Sequence, residues 1–439
     1  MGKLILFALI SLFLFSCSGD DTIAPEPITP EPITDEDKFK DIDTTAGKVM
    51  FLNEELADDN YVLVNDAAAN RVFLIEKGKS KILNEWNLSS GIGNDAELLP
   101  NGNLLASLIV EDPRFSFGGY GGIVSIISPT GAELWKYEYS SEDYLAHHDV
   151  EMLPNGNVLI LAWDKKSGNE LIENGYGYTN ESIYVEKLIE VNPNNDQIVW
   201  KWNSWDHLIQ DYDVNAKNFG NPGLYPQKID LNYRDSIHRK SFDGDIMHAN
   251  GIEYDERTNT ILVSVNYYSE VWVVDHSTTS EQAAGTTGGN YGKGGEILYR
   301  IGNPDAYGNP KGQRLFYSNH DPNIVPGTNN LLIYVNGNLD ISGRSTVYEL
   351  GLPDEYSLQS ETNNELEIIW EYSHEDLFSP KVSGAYRLRN GNTLITEGTS
   401  GFWEVTQGGE IVWRFEGDGF YWRGYPYYPG DPELSPLGY

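Results

Sequence analysis

The segment "MLPNGNVLILAW", Met152–Trp163, joins a Pro-Asn-Gly turn to a continuous apolar run, and it decides how the rest of the chain is interpreted. An Asn-Gly pair between apolar runs is typical of a β-hairpin, because both residues tolerate the positive φ that a tight turn needs. Related segments recur along the chain: "LLPNGNLLASL" from Leu98, "DERTNTILVSVN" from Asp255, "VPGTNNLLIYVNG" from Val325, "LRNGNTLITEG" from Leu388 and a looser copy, "NDAAANRVFLIE", from Asn65. The chain therefore repeats one turn-and-strand unit in six copies.

A second recurring unit is a short strand that ends in an aromatic residue. Its copies place their aromatic residues at Trp86, Trp135, Trp200, Tyr299, Trp370 and Trp413. Self-similar β units at irregular spacings of tens of residues indicate blades around an axis, with aromatic side chains filling the space between neighbouring blades. The sequence predicts an all-β, six-bladed β-propeller that forms one large domain over residues 47–439.

The N-terminal region is predicted to be a lipoprotein leader followed by a tether. Lys3 precedes the apolar run from Leu4 to Phe15, which is too short to span a bilayer, and Cys17 is the only cysteine. Residues 1–17 are expected to be a signal peptide with Cys17 as the lipidated residue, and an ordinary cleaved signal is the alternative. Residues 18–46 contain two copies of Pro-Glu-Pro-Ile-Thr and are expected to be a disordered linker.

The leader predicts a lipoprotein of the bacterial outer membrane, facing the periplasm or the cell surface, with membrane contact only through its lipid. The chain carries 66 acidic and 30 basic residues, a net charge of −36. Such a surface repels nucleic acid and anionic headgroups, so nucleic acid is not an expected partner. An anionic substrate requires a locally positive pocket. A homodimer is left open.

Eight histidines occur in the chain, and several share one position in the repeat. His147 and His148, His248 and His320 each lie just before the turn of a different predicted blade. Equivalent positions of different blades converge on the axis of a propeller, so these imidazoles are expected to meet at one face. The remaining histidines are expected to be structural: His207, His238, His276 and His374. Converging imidazoles suit either a transition-metal site or a histidine nucleophile with electrostatic helpers.

Four segments resemble the bacterial arylsulfate sulfotransferase family: "HHDVEMLPNGN" from His147, "MHANGIEYDERTNTILVS" from Met247, "FYSNHDPNIVPGTNNLLIYVNGN" from Phe316 and "SGAYRLRNGNTLITEGTSGFWEVTQGGEIVWRF" from Ser383. The resemblance covers about Val62 to Trp422. It implies transfer of a sulfuryl group from a phenolic sulfate ester to a phenolic or other hydroxyl acceptor, through a sulfated histidine, without a nucleotide sulfate donor, cofactor or metal.

Carried onto this chain, the resemblance makes His320 the nucleophile. His248 and Asn250 become donors to the sulfate oxygens and the leaving phenolate. His148, or else His147, matches the remaining active-site histidine. Two carboxylates follow histidines directly, at Asp149 and Asp321, and are candidates for fixing an imidazole tautomer.

One position departs from the family pattern. The strand after the His-x-Asn motif usually carries an arginine that clamps the sulfate, and Asn266 stands there instead. Asn donates hydrogen bonds but brings no charge. We expect Asn266 and His147 to contact substrate, with Arg300 or Arg314 supplying the missing cation; Arg344 is a further candidate.

This departure keeps other classes of function open. A carbohydrate-active propeller, similar to polysaccharide lyases, also uses histidine, tyrosine and arginine around an acidic sugar. A non-catalytic glycan-binding or protein-binding propeller at the cell surface fits the missing arginine. A metal-dependent hydrolase is the least favoured alternative.

Overall fold

The computed structural model describes residues 46–78, 81–235, 243–337 and 343–439. It confirms the all-β, six-bladed β-propeller predicted from the sequence. The predicted signal peptide, the lipidation site Cys17, almost all of the predicted linker and His238 lie outside the described residues. Within the described ranges, no helix is long and apolar enough to cross a membrane.

Each blade is an antiparallel sheet, and blades are numbered here in chain order with strands given from the axis outward. Blade 1 contains Tyr421–Tyr427, Tyr61–Asp66, Arg71–Glu76 and Lys81–Trp86. Blade 2 contains Ile92–Leu98, Leu104–Ile109, Gly122–Ile127 and Glu133–Glu138. Blade 3 contains Tyr144–Met152, Val158–Ser167, Ser182–Asn192 and Gln197–Asn203.

The second half repeats this order. Blade 4 contains Ala249–Asp255, Thr260–Val265, Glu270–Asp275 and Tyr299–Ile301. Blade 5 contains Asn319–Ile324, Asn330–Val335, Thr346–Gly351 and Glu367–Tyr372. Blade 6 contains Gly384–Arg387, Thr393–Glu397, Gly401–Val405, Ile411–Glu416 and, at its outer edge, Lys48–Leu52. The short helix Asn169–Glu173 connects the second and third strands of blade 3, and the short helix Ser280–Ala283 connects the third and fourth strands of blade 4. The parallel pair Leu208–Ile209 and Ile229–Asp230 lies between blades 3 and 4 in the chain.

The ring closes through both ends of the described chain. The innermost strand of blade 1, Tyr421–Tyr427, comes from the C-terminal end and pairs with Tyr61–Asp66. This closure explains the looser repeat copy near Asn65, which joins the second and third strands of blade 1. The other five copies join first and second strands, so the sixth such turn is replaced by the closure.

The aromatic repeat lies in the fourth strand of every blade. Of its aromatic residues, Trp86, Trp200, Tyr299 and Trp413 are buried, whereas Trp135 and Trp370 are half-buried. Period-two alternation does not apply to the middle strands, since nearly every residue of Thr260–Val265 and Glu270–Asp275 is buried. Both faces of a middle sheet pack against neighbouring blades, which accounts for their continuous apolar runs.

Carboxylates tie the innermost strands of neighbouring blades together. Glu97 of blade 2 accepts a hydrogen bond from the backbone N–H of Met152 in blade 3 at 3.4 Å. Glu253 of blade 4 accepts one from Ile324 in blade 5 at 2.9 Å, and Glu151 of blade 3 accepts one from blade 4 in the same way. An innermost strand has one unpaired edge, and these acids satisfy its N–H groups.

Bulges interrupt the innermost strands where they pass the predicted site. The pairing of Tyr144–Met152 shifts register between Ala146 and Val150, and His148 has a φ of 54° within that interval. The pairing of Asn319–Ile324 shifts after His320, where Asp321 has a φ of 58°. A β-bulge bends the strand and redirects its side chains. These bulges therefore position the histidines relative to the axis.

Candidate active site in the central channel

The structure brings the predicted histidines together around one tryptophan. The rings of His148 and His248 are 4.9 Å apart, centroid to centroid. Trp422 lies 5.4 Å from the ring of His148 and 5.8 Å from the ring of His320. Trp422 belongs to the closing strand of blade 1 and lies next to histidines of blades 3 and 5, and His248 joins this group through His148. Trp422 is a site residue that the sequence analysis did not identify.

The tautomer of His320 is fixed by Asn336, at the end of the second strand of blade 5. The Nδ2 group of Asn336 donates to the carbonyl oxygens of Ser379 and Val382, each at 3.0 Å. Its Oδ1 must therefore accept from His320 Nδ1, which lies 2.6 Å away. A neutral His320 with its proton on Nδ1 carries its lone pair on Nε2. Asn336 is a site residue that sequence reasoning missed.

The peptide before His320 is held by three donors from blade 4. The carbonyl oxygen of Asn319 accepts from Asn250 Nδ2 at 2.8 Å, from Asn266 Nδ2 at 3.2 Å and from Ser264 Oγ at 3.2 Å. Asn250 and Asn266 are both buried. The amide of Asn266, which was expected to contact substrate, therefore orients the backbone that leads into His320.

His248 is oriented from two sides. Its Nδ1 lies 2.5 Å from Asp245 Oδ2, and its ring stacks on Tyr267 at 4.7 Å. A carboxylate at one ring nitrogen fixes the tautomer and the orientation of an imidazole. Asp245 was not predicted from the sequence, because it lies three residues upstream of the histidine in a loop.

His147 and His148 contact each other and a buried carboxylate. The two Nδ1 atoms are 2.8 Å apart, and His147 Nε2 lies 3.1 Å from Glu186 Oε2. His147 stacks on Trp163 at 3.8 Å. His148 is therefore the member of the pair that reaches His248 and Trp422, and His147 lies behind it.

Burial shifts the protonation of this group. It lowers the pKa of His147 and of His148 well below the usual range, and the nearby His248 adds to both shifts. Burial also raises the pKa of Glu186 well above the usual range, with a further contribution from Asp245. Both rings of the pair are therefore expected to be neutral at neutral pH.

Gly119, in the loop after the second strand of blade 2, packs against His148. Its carbonyl accepts from the backbone N–H of His148 at 2.8 Å. Its φ is 78°, and a Cβ there would stand 2.0 Å from His148 Nε2. Only glycine leaves room for the imidazole at this point.

One arginine crosses the channel directly below the histidines. Arg423 follows Trp422, and its guanidinium lies 2.9 Å from Asp149 Oδ2, 3.0 Å from Asp321 Oδ1 and 3.5 Å from Asp95 Oδ1. Gly251, on the opposite blade, permits this span, since a Cβ there would be 3.1 Å from Arg423 Nη2. Arg423 thus joins blade 1 to blades 2, 3 and 5.

These contacts change the role expected for the two aspartates. Asp149 and Asp321 bind Arg423 instead of fixing an imidazole tautomer, which for His320 is the task of Asn336. Burial raises the pKa of Asp321 to about 6, although Arg423 favours its charged form. In both strands the histidine and the aspartate that follows it point to different parts of the channel, because the β-bulge redirects the side chains.

The arginines expected to replace the family's clamp have carboxylate partners. Arg300 is buried and bonds Glu270 through Nε at 2.9 Å, with a further bond from Nη1 to the carbonyl of Lys228 at 2.9 Å. Arg314 pairs with Asp235 and donates to Ser269 Oγ at 3.0 Å. Arg314 therefore lies next to the turn that carries Asn266–Tyr268, whereas Arg300 ties the outer part of blade 4 together.

The other described histidines have structural surroundings. His207 contacts the carbonyl of Ala283 at 2.8 Å, and burial lowers its pKa to about 4. His276 lies 2.9 Å from Glu190 Oε2, and the ring of His374 packs 5.5 Å from that of Trp403. In the described part of the chain, no group of three or more His, Cys, Asp or Glu residues is arranged to hold a metal ion.

The fold and the site define a class of protein: a six-bladed propeller whose axial channel carries converging imidazoles over a closed floor. The model of the arylsulfotransferase (ASST) family matches residues 37–415, and the chain belongs to that family. The match ends before the closing strand, so Trp422 and Arg423 lie beyond it. No curated protein matches the chain.

Several solved structures are similar to the chain at low sequence identity and with TM-scores below 0.5. A protein of unknown function from Bacteroides caccae is 14% identical, covers 84% of this chain and 99% of its own, and has a TM-score of 0.47. A functionally unknown protein from Desulfotomaculum acetoxidans is 11% identical over 84% and 99%, with a TM-score of 0.42. A putative 6-phosphogluconolactonase from Bacteroides fragilis is 11% identical over 85% and 99%, with a TM-score of 0.41.

Proposed function

We propose that this arylsulfotransferase-family protein moves a sulfuryl group from an aryl sulfate to a phenolic or other hydroxyl acceptor through a sulfated His320. The observation that carries the proposal is the contact between His320 Nδ1 and Asn336 Oδ1 at 2.6 Å. It places the lone pair on Nε2, where the neutral imidazole is a nucleophile. A histidine with the opposite tautomer would present an N–H to the substrate.

The reaction has two half-transfers. In the first, His320 Nε2 attacks the sulfur, the S–N bond forms, and the bond from sulfur to the aryl oxygen breaks. In the second, the acceptor oxygen attacks the same sulfur and the S–N bond breaks, which restores His320. Charge on the three sulfuryl oxygens and on the departing oxygen requires positioned donors, as in phosphoryl transfer. His248 and Asn250 are the proposed donors.

The surroundings of the site support an aromatic substrate. Trp422 lies between His148 and His320, and Tyr267 covers the ring of His248. Flat rings of this kind pack well against a phenyl group. The floor formed by Arg423 closes the channel beneath the histidines, which favours approach of both substrates from the histidine side.

The test is to incubate the full-length chain, purified in detergent, with an aryl sulfate and no acceptor, and to map added sulfuryl groups by mass spectrometry. We expect an adduct on His320 in the wild type that disappears in His320→Ala and on addition of a phenol. His276→Ala is the matched control, since this histidine contacts Glu190 away from the site. An adduct on another residue, or none with any aryl sulfate, would refute the mechanism.

We also propose that the protein is held at the bacterial outer membrane by a lipid on Cys17. The apolar run from Leu4 to Phe15 and the single cysteine support this. Cells that express the wild type should place it in the membrane fraction, and Cys17→Ser should release it. Membrane association of Cys17→Ser would contradict the proposed anchor.

A further inference from the structure

We propose that Glu186, His147 and His148 form a proton relay that serves the sulfuryl-transfer site, with His148 Nε2 as its working end. The proposal rests on the proposed function, which it deepens by assigning the acid and the base of each half-transfer. His148 would exchange the proton with substrate, while Glu186 and His147 act through it as positioning residues.

The chain of contacts is continuous. Glu186 Oε2 lies 3.1 Å from His147 Nε2, and His147 Nδ1 lies 2.8 Å from His148 Nδ1. The other carboxylate oxygen of Glu186 accepts from the backbone N–H of Ala249 at 2.8 Å. Glu186 is therefore held between blades 3 and 4, and only one of its oxygens takes part in the relay.

Two Nδ1 atoms in hydrogen-bond contact share one proton, so one ring must donate and the other must accept. The tautomer of each ring therefore sets the tautomer of the other. When Glu186 is ionised, His147 donates from Nε2 to the carboxylate and His148 donates from Nδ1 to His147, so His148 Nε2 holds a lone pair. When a proton is added at His148 Nε2, the proton on His148 Nδ1 passes to His147 Nδ1, and the proton on His147 Nε2 passes to Glu186. The result is a protonated Glu186, a neutral His147 and a neutral His148 with Nε2–H.

The relay thus changes the charge of Glu186 and never makes an imidazolium. This suits the site, because all three side chains are buried. Burial lowers the pKa of both imidazoles and raises the pKa of Glu186, so the surroundings disfavour imidazolium and tolerate a protonated carboxyl.

Other charged or titratable groups face the relay from neighbouring elements: Asp245 and His248 from the blade 4 side, His320 from blade 5 and Arg423 from blade 1. Trp163 covers the face of His147 at 3.8 Å and shields the link between the two rings.

The protons balance over the two half-transfers. As the bond from sulfur to the aryl oxygen breaks, that oxygen takes the proton of His148 Nε2, and Glu186 becomes ionised. As the acceptor oxygen attacks the sulfur, its hydroxyl proton passes to His148 Nε2, and Glu186 is protonated again. No other group has to release or take up a proton, and His248 and Asn250 act only as hydrogen-bond donors.

Glu186→Gln tests the relay, because the amide keeps the shape of the carboxyl but cannot take or release the proton. The assay is the single-turnover rate of His320 sulfation by two donors, phenyl sulfate and a nitrophenyl sulfate, in the full-length chain. Phenolate is a poor leaving group that needs an acid, whereas nitrophenolate leaves unaided. We expect the rate with phenyl sulfate to fall about 10²- to 10⁴-fold, and the rate with nitrophenyl sulfate to change little.

Glu190→Gln is the matched control. Glu190 lies on the same strand, Ser182–Asn192, and also contacts an imidazole, that of His276, at 2.9 Å. Its variant should retain both rates. Equal losses on the two donors in a folded Glu186→Gln protein would overturn the relay.

A measurement on the wild type decides the question where Glu186→Gln does not fold. Nitrogen-15 NMR of histidine-labelled protein should show His147 and His148 neutral at pH 7, with a single proton shared by their Nδ1 atoms. An imidazolium at either residue would overturn the relay. Absence of any sulfated His320 in the wild type would refute the proposed function instead, and the NMR result would still stand by itself.

Discussion

Two consecutive layers of the central channel differ sharply in charge, although the same innermost strands build both. The lower layer contains Arg423 and the carboxylates that bind it: Asp95, Asp149 and Asp321. The upper layer contains the residues one position earlier on three of these strands: Trp422, His148 and His320. The lower layer is an ionic cluster. The upper layer consists of one indole and two imidazoles, and amides such as Asn336 hold it in place.

The difference shows where this protein uses permanent charge. Its channel arginine closes the floor and links four blades, and it is matched by more acid than one cation neutralises. The upper layer, where an anionic group would bind, has Asn266 where the family usually has an arginine. Under the proposed function, a sulfate group there would be bound by hydrogen-bond donors and oriented imidazoles, which give weaker binding than a guanidinium fork.

The largest effect is expected from removing the cation of the lower layer. Arg423→Met leaves several buried carboxylates without their partner. Loss of one partner of a buried ion pair typically costs about 3–5 kcal/mol, so we expect a fall of this size in the free energy of unfolding, measured by urea denaturation at pH 7.

The control for this variant is Arg389→Met, which breaks an ion pair with Asp431 whose arginine side chain is 63% exposed. An exposed pair contributes about 0–1 kcal/mol. If both variants lose the same free energy of unfolding, the ion pairs of Arg423 stabilise the fold no more than an exposed ion pair does. The lower layer would then have no special structural role.

The next effect comes from placing charge in the upper layer. Asn266→Arg is expected to raise kcat/KM for aryl sulfates about 10- to 100-fold, since the charge-assisted hydrogen bond that it adds to the sulfate contributes about 1.5–3 kcal/mol. Steady-state kinetics would measure the gain, with Asn266→Gln as a neutral control. A kcat/KM no higher than that of Asn266→Gln would mean that a positive charge at this position does not improve the reaction with aryl sulfates.

The sequence was sufficient for the architecture because the propeller repeats its signals. Turn residues mark the first hairpin of five blades, and an aromatic residue marks the fourth strand of all six. The looser copy near Asn65 joins the second and third strands of blade 1, whereas the other copies join first and second strands. Ring closure pairs strands from opposite ends of the chain, and the residues of a local turn cannot predict such a pairing.

The site was predictable only where one residue type recurs in one position of the repeat. That signal located His148, His248 and His320, and the structure brings these three residues together. Asn336 and Glu186 were missed because each lies on a second or third strand, and its partner is set by packing between strands. Asparagine and glutamate are also common, so neither stands out as a histidine does.

The smallest effect tests the acids just below the lower layer. Burial raises the pKa of Glu97 from 4.5 to about 7, so between these values the folded chain binds more protons than the unfolded chain. Stability must then fall as pH rises through this window. Glu97→Gln should reduce the loss in the free energy of unfolding between about pH 5 and pH 7 by about 1 kcal/mol, a figure that allows for solvent screening. Urea denaturation at the two pH values measures it. The exposed Glu410→Gln is the control. If Glu97→Gln shows the same pH dependence as Glu410→Gln, Glu97 titrates as it does in water, and the acidic end of the channel is open to solvent up to the carboxylates that bind Arg423.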